Sequence, residues 1–187
     1  EMKGTAHAIL LAKSFVGDEP FVVAYPDDFF VSTPPVTKQL IDAYEKSAKN
    51  VLLAFEVSQN EVGRYGIIRP GPSHPELEHL FEVRGLIEKP DPASSPSNFA
   101  ALGRYLFLPE IFPLFEKTVK ETKTGEAYQT DAIQELARKG RVVATTISGK
   151  RFDTGTPLGY LKTLVQFALS RPDIQKEFQA FLREMLA

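Results

Sequence analysis

Short, wholly apolar runs alternate with amphipathic stretches along this chain. Phe21–Tyr25 (FVVAY) is a bulky apolar run halted by Pro26-Asp27-Asp28, and its length predicts a buried strand. In Val36–Ala48, Leu40, Ile41, Tyr44 and Ala48 recur at helical spacing behind Thr33-Pro34-Pro35, which predicts an amphipathic helix. Asn50–Val57 (NVLLAFEV) predicts a second buried strand. Strand, helix and strand in that order form a βαβ unit with a right-handed crossover, the signature of a layered α/β domain. Ahead of it, Ala6–Ala12 predicts a helix with Thr5 as its N-cap.

The rhythm shortens further along. Tyr65–Arg69 predicts a short strand, and the proline-rich segment Pro70–Pro75 a loop. Leu80–Glu88 predicts a strand stopped by Pro90, Asp91–Ser97 a loop, and Asn98–Leu108 another strand. Pro109–Lys120 and Thr130–Lys139 predict helices, the second closed by Gly140. Val142–Ile147 predicts a strand. Thr156-Pro157 opens a helix carrying Leu158, Leu161, Leu164 and Val165, and Ser170–Ala187 predicts a further amphipathic helix. Phe178, Phe181 and Leu182 form an apolar stripe on that last helix, suited to a homo-oligomer interface or to packing on its own domain. The mixed order predicts an α/β fold whose sheet is mixed or mainly parallel, with helices on both faces.

Composition narrows the function classes. The 187 residues carry 22 Lys+Arg against 24 Asp+Glu, a formal net charge of −2, so there is no electrostatic footprint for nucleic acid or an anionic membrane surface. No apolar run approaches the length of a membrane span. Cysteine is absent, which excludes disulfides, thiolate zinc sites and Cys nucleophiles and agrees with a reducing cytoplasm. His7, His74 and His79 lack metal-ligand spacing, and the chain has no G-x-S-x-G elbow, P-loop or G-x-G-x-x-G.

Three segments could carry chemistry. Asp27 and Asp28 directly follow a buried strand, where open α/β sheets bind ligands. Two carboxylates there suit a magnesium ion, or simply a polar turn. Asp153, in Phe152-Asp153-Thr154-Gly155-Thr156-Pro157, supplies either a second carboxylate to that ion or a helix cap. Glu88-Lys89-Pro90 ends a strand, so alternation sends the two side chains to opposite faces. One would take sugar hydroxyls and the other a phosphate, or both would be a solvated strand end.

Taken together, these segments resemble the bacterial UTP–glucose-1-phosphate uridylyltransferases of the sugar-1-phosphate nucleotidyltransferase superfamily. The resemblance rests on Gly4-Thr5-Ala6-His7-Ala8, Val16-Gly17-Asp18-Glu19-Pro20, Pro26-Asp27-Asp28, Gly63-Arg64-Tyr65-Gly66 and Glu88-Lys89-Pro90. It continues through Ser97-Asn98 with Gly103-Arg104-Tyr105, Thr130-Asp131-Ala132-Ile133, and Asp153-Thr154-Gly155 with Gly159-Tyr160. It implies a Rossmann-like three-layer α/β/α domain over residues 1–169 and a C-terminal helical extension over 170–187. It implies conversion of UTP and glucose 1-phosphate to UDP-glucose and pyrophosphate, with Mg2+ as cofactor, in the cytoplasm. By the resemblance Asp27 and Asp153 hold the metal, and Lys89 and Asp27 are catalytic. Glu88 accepts sugar hydroxyls, Gly66 faces the sugar, and Gly4 lies against the base. Asn98, Gly103 and Tyr105 line the sugar pocket, and Asp28 neighbours the metal site.

The chain also departs from that family. The family's glycine-rich G-x-G-T-R loop, which wraps the triphosphate, occurs nowhere in the sequence, and neither does the glutamine that precedes the Gly4 segment. The expectation is a C-terminal two thirds of a longer enzyme, without its first strand and without transfer activity of its own. Tyr128 stands where the family usually has glutamine. The alternatives are another sugar-1-phosphate nucleotidyltransferase, such as a thymidylyltransferase, or a non-catalytic sugar-nucleotide-binding relative. A metal-dependent glycosyltransferase also pairs aspartates after a strand, but Glu-Lys-Pro and Asp-Thr-Gly disfavour it.

Overall fold

The structure, a computed structural model, describes residues 3–123 and 125–186. Its elements run α1 (Thr5–Leu10), α2 (Lys13–Val16), β1 (Phe21–Ala24), β2 (Asp28–Val31), α3 (Val36–Ser47), β3 (Asn50–Glu56), β4 (Gly66–His74) and β5 (Leu77–Glu88). There follow β6 (Phe99–Phe107), α4 (Phe112–Glu121), α5 (Gln129–Arg138), β7 (Val142–Thr146), β8 (Lys150–Asp153), α6 (Pro157–Ser170) and α7 (Gln175–Leu186). They form two units, Glu1–Tyr25 with Ser32–Gly149, and Pro26–Val31 with Lys150–Ala187.

The larger unit is built on a six-stranded sheet in the order β1-β6-β3-β7-β5-β4, and β4 also meets β6 where Ile67 pairs with Ala100. The α/β class expected from the pattern holds. The expected mainly parallel sheet does not, because β3 with β7 is the one parallel pair among the described strands. The reason is β6. It lies between β1 and β3 and runs antiparallel to both, so the two strands of the β1–α3–β3 crossover stay parallel to each other without being neighbours. An apolar run shows that a strand is buried but not which way it points between its partners.

The core follows from strand alternation. Leu52, Ala54, Tyr105 and Phe107 share a buried cluster with Ile9 of α1, Phe112 and Phe115 of α4, and Ile133 and Leu136 of α5. Tyr105 stacks on Phe107 with ring centroids 5.5 Å apart, and Phe107 meets the edge of Phe115 at 6.0 Å. Val51 and Leu53 have the opposite parity, and α3 packs on β3, β6 and β7 with Leu40 and Ala43 buried. Asn50 is fully buried, so its amide needs partners. It donates to Glu110 Oε1 and the Arg141 carbonyl and accepts from the Leu108 N–H, tying together the ends of β3, β6 and β7.

Pro70–Pro75, expected as a loop, instead lies mostly in β4, the last strand in the sheet order. The ladder to β5 shifts register at Arg69/Pro70, Pro70/Ser73 and Ser73/His74. Such breaks let a strand contain residues that cannot donate a ladder hydrogen bond.

The smaller unit holds a two-stranded antiparallel ribbon, β2 with β8, in the register Asp28↔Asp153, Phe29↔Phe152, Phe30↔Arg151 and Val31↔Lys150. Thr156 caps α6 by accepting from the Gly159 N–H, and Phe167 of α6 packs on Phe152 with centroids 5.0 Å apart. The last expected helix starts five residues late, at Gln175, because Pro172 and an Arg171–Asp173 ion pair hold a turn after α6. Ala187, its expected end, lies outside the described residues, as do Glu1 and Met2.

Phe107→Ala should lower the stability of the larger unit by about 3–5 kcal/mol in urea unfolding, because it removes the ring that both Tyr105 and Phe115 pack against. A loss below about 1 kcal/mol would be incompatible with this core.

Candidate active site

In the smaller unit the expected acidic residues come together. The Asp27 carbonyl accepts from the Thr154 N–H at 2.8 Å and from the Thr154 hydroxyl at 3.0 Å, which fastens the start of β2 to the end of β8. The Asp153 Oδ1 accepts from the Gly155 N–H at 2.9 Å. A Cβ placed on Gly155 would sit 3.2 Å from Asp153 Oδ1 and 3.2 Å from Asp27 Oδ2. Two carboxylate oxygens therefore converge on the space that a missing side chain leaves. Gly159 serves the same end, since a Cβ there would lie 2.2 Å from the Asp153 carbonyl oxygen and push the first turn of α6 away.

Asp28 has a different environment. It is buried, and its Oδ1 accepts from Arg151 Nε at 2.6 Å. Arg151 Nη2 lies 3.8 Å from Asp153 Oδ2, so one guanidinium reaches two carboxylates. Burial pushes the Asp28 carboxyl above its usual range even with Arg151 opposing, and the charges of Asp153 and Asp27 push the same way.

The donor set fits a hard divalent cation. Asp27 and Asp153 offer oxygens, which such ions prefer, and among the described residues no group of three or more His, Cys, Asp or Glu would enclose a metal unaided. An ion held here would take its remaining ligands from water or substrate phosphates, which is magnesium's habit.

In the larger unit a second group gathers around the end of β5. Gly66 pairs in register with Glu88, and a Cβ on Gly66 would lie 3.2 Å from Glu88 Oε2. That oxygen accepts from the Thr130 hydroxyl at 2.6 Å. Lys89 does not continue the strand. Its φ of 45° is left-handed, and its N–H donates to the Tyr65 carbonyl at 3.0 Å. Glu88 and Lys89 thus do not part to opposite faces as alternation predicts. The reversal leaves the ammonium 4.0 Å from Glu88 Oε1 and 5.2 Å from the centroid of the Tyr128 ring.

Gly4 sits at φ 98°, and a Cβ there would come within 2.6 Å of the Ala127 carbonyl oxygen. Its neighbours clasp the same residue, the Ala6 N–H donating to the Ala127 carbonyl and the Ala127 N–H to the Lys3 carbonyl. The fold therefore needs glycine at this position before any ligand is considered. The Asn98 side chain donates to Glu56 Oε1 at 2.8 Å, where β3 ends and β6 begins. The Gly103 carbonyl accepts from the Tyr25 N–H. Tyr105 is 3% exposed and its hydroxyl donates to the Ala101 carbonyl at 3.0 Å, so this side chain supports the strand from inside the core.

Sequence reasoning did not single out Thr130 or Arg151 as site residues, nor the contact of Tyr128 with Lys89. A threonine opening a helix before Asp131 carries a weak capping signal, whereas nothing in the local sequence marks Arg151 as the partner of a residue 123 positions away.

The sequence profile of a family described as "Nucleotidyl transferase" matches residues 1–168. A UTP–glucose-1-phosphate uridylyltransferase of Staphylococcus epidermidis is 40% identical over 185 residues, covering 99% of this chain and 63% of that protein. A solved UDP-glucose pyrophosphorylase in complex with UDP-glucose superposes with a TM-score of 0.84 at 36% identity, over 91% of this chain and 64% of that one. A UTP-bound enzyme of the same kind from Acinetobacter baumannii also gives 0.84, at 32% identity, over 97% and 62%. The chain spans 63% of the length of the curated relatives it matches. Among the described residues no helix is long and apolar enough to cross a membrane.

Arg151→Met leaves Asp28 buried without its cation and should cost about 3–5 kcal/mol in urea unfolding near neutral pH. The Asp28 pKa is raised in the fold above its ordinary 3.8, so its contribution favours the fold fully below that value and is lost as pH rises through the folded pKa. Removing Arg151 raises the folded pKa further. The deficit should therefore shrink at about pH 4, and an equal deficit at both pH values would contradict the pairing.

Proposed function

Because the chain belongs to the nucleotidyl transferase family, we propose that it serves uridylyl transfer, in which UTP and glucose 1-phosphate become UDP-glucose and pyrophosphate. The observation that carries this reading is the convergence of the Asp27 and Asp153 carboxylates over Gly155, in a chain similar throughout to relatives named for that reaction.

A phosphate oxygen of glucose 1-phosphate attacks the α-phosphorus of UTP. The bond from that phosphorus to the bridging oxygen breaks, and pyrophosphate leaves with the electron pair. The nucleophile is already an anion near neutral pH, so no strong general base is needed. What remains is to bring anions together and align them. Asp27 and Asp153 would hold a magnesium ion, which neutralises phosphate charge when bound. Asp28 and Arg151 keep the β2–β8 ribbon in the register that aims these carboxylates. Lys89 offers a point charge to the phosphate of glucose 1-phosphate. Glu88, with Thr130 on one oxygen, keeps acceptor capacity for glucose hydroxyls, and Gly66 leaves room beside it. Gly4, closed against Ala127, holds the segment that would lie against the uracil base. Asn98, Gly103 and Tyr105 hold the strand behind the sugar. On this reading the protein works in the cytoplasm, with which the absence of cysteine agrees.

Calorimetric titration in magnesium should find UDP-glucose bound at least about tenfold more tightly than dTDP-glucose. Glu88→Gln should weaken UDP-glucose by about tenfold or more, the cost of losing a hydrogen bond to a charged group. Asp27→Asn and Asp153→Asn should each remove the dependence on magnesium. Since the sequence contains no G-x-G-T-R segment, binding without pyrophosphate release is expected of these 187 residues. No binding of UDP-glucose, or a preference for dTDP-glucose, would overturn the reading.

A further inference from the structure

The segment before α5 is fastened from several sides within the larger unit. The Ala127 N–H donates to the Lys3 carbonyl at 2.8 Å, and the Ala127 carbonyl accepts from the Ala6 N–H at 3.0 Å. The Gln129 N–H donates to the Thr5 hydroxyl at 3.2 Å, and Gln129 Oε1 accepts from the Tyr25 hydroxyl at 2.8 Å. Gly4 closes against Ala127 at a distance that admits no side chain. Tyr128 is the residue between these two anchored neighbours. It occupies the N-cap position of α5 with extended backbone and makes no side-chain cap. Its ring turns instead to Lys89, with the ammonium 5.2 Å from the centroid.

Lys89 is constrained from its own side as well. Its left-handed backbone, its N–H bond to the Tyr65 carbonyl and the following Pro90 fix where the stem departs. What remains free is the four-carbon stem, whose rotamer freedom an incoming anion would have to quench. An aromatic face suits that task. It attracts a cation through its quadrupole without accepting an N–H, so the charge and the three ammonium donors stay available to a phosphate. Glu88 Oε1, at 4.0 Å, attracts the ammonium from beyond hydrogen-bond distance, so it too leaves the three donors to a phosphate.

We propose that Tyr128 is a positioning residue for Lys89. Its ring face pre-sets the ammonium for a phosphate of the sugar nucleotide, and the clasp of Lys3, Gly4 and Ala6 on Ala127 fixes the ring. The proposal rests on the reading that Lys89 meets a substrate phosphate. It also gives the Gly4 segment a second consequence, a backbone link from the chain's first helix to that lysine.

Two measurements on the whole chain test it. In protein whose lysines are reductively methylated with 13C, the Lys89 methyl resonance, assigned by its loss in Lys89→Arg, should be displaced upfield by the ring. The displacement should survive Tyr128→Phe and vanish in Tyr128→Leu. In calorimetric titration with UDP-glucose and magnesium, Tyr128→Leu should weaken binding about two- to fivefold, the range of an exposed cation–π contact, while Tyr128→Phe binds as the native chain does. In a Lys89→Gln background Tyr128→Leu should have no further effect. An undisplaced resonance, a Phe variant as weak as the Leu variant, or additive losses in the double variant would each overturn the proposal. If the native chain does not bind UDP-glucose at all, the uridylyl reading falls, and the methyl resonance still decides whether the ring holds Lys89.

Discussion

Almost every residue of β6 is shut off from solvent, so its backbone groups must find partners inside the protein. An unpaired buried N–H or carbonyl costs about 1–3 kcal/mol, and a nine-residue strand cannot tolerate many. β6 meets the demand by pairing with β1, β3 and β4, and the rest of the larger unit arranges itself around that fact. β1 and β3 flank it and so run parallel to each other across it. β4 reaches it through Ile67 and draws in the β4–β5 hairpin, which sets Gly66 opposite Glu88. The same burial places Tyr105 and Phe107 where α1, α4 and α5 can cover them. The positions of Glu88 and Lys89 are thus consequences of how one strand satisfies its hydrogen bonds.

The smaller unit solves an electrostatic problem. Asp27, Asp28 and Asp153 lie close enough that the other two charges weigh on Asp28. Three carboxylates in one place repel one another, and burying one of them adds desolvation. Arg151 offsets part of this by bonding Asp28 and approaching Asp153. The two oxygens that converge over Gly155 form an anionic pocket of the kind that suits a divalent cation. In the larger unit the logic is complementary. Lys89 keeps its positive charge beside a carboxylate at 4.0 Å and an aromatic face, an arrangement suited to receiving an anion.

Much of this was legible before any coordinates. β3 and β6 stood out because a strand buried on both faces is a continuous apolar run, whereas β1, read the same way, stands at the end of the sheet order with none of its residues fully buried. Gly4, Gly66, Glu88, Lys89, Asp27 and Asp153 stood out because their order and spacing resemble one enzyme family. Other features left no trace. β2 (DFFV) and β8 (KRFD) are four residues each, too short for alternation to register. The reversal at Lys89 depends on one left-handed residue that is not glycine, which no local pattern announces. Tyr105 reads as a polar aromatic in a motif, yet its hydroxyl is satisfied inside the core.

The sequence by itself determined most of the helices and the longer strands, and through a family resemblance it put forward the residues proposed to meet phosphates and sugar. Those properties reside in side-chain type and periodicity, both local. Tertiary structure alone decided the partner order around β6, the pairing of Asp28 with Arg151, the meeting of Asp27 and Asp153 over Gly155, and the seat of the Lys89 ammonium on Tyr128. Each of these joins residues far apart in the chain. Hydrogen bonding, desolvation and charge act through space, so their outcome is settled only when burial has brought those residues together.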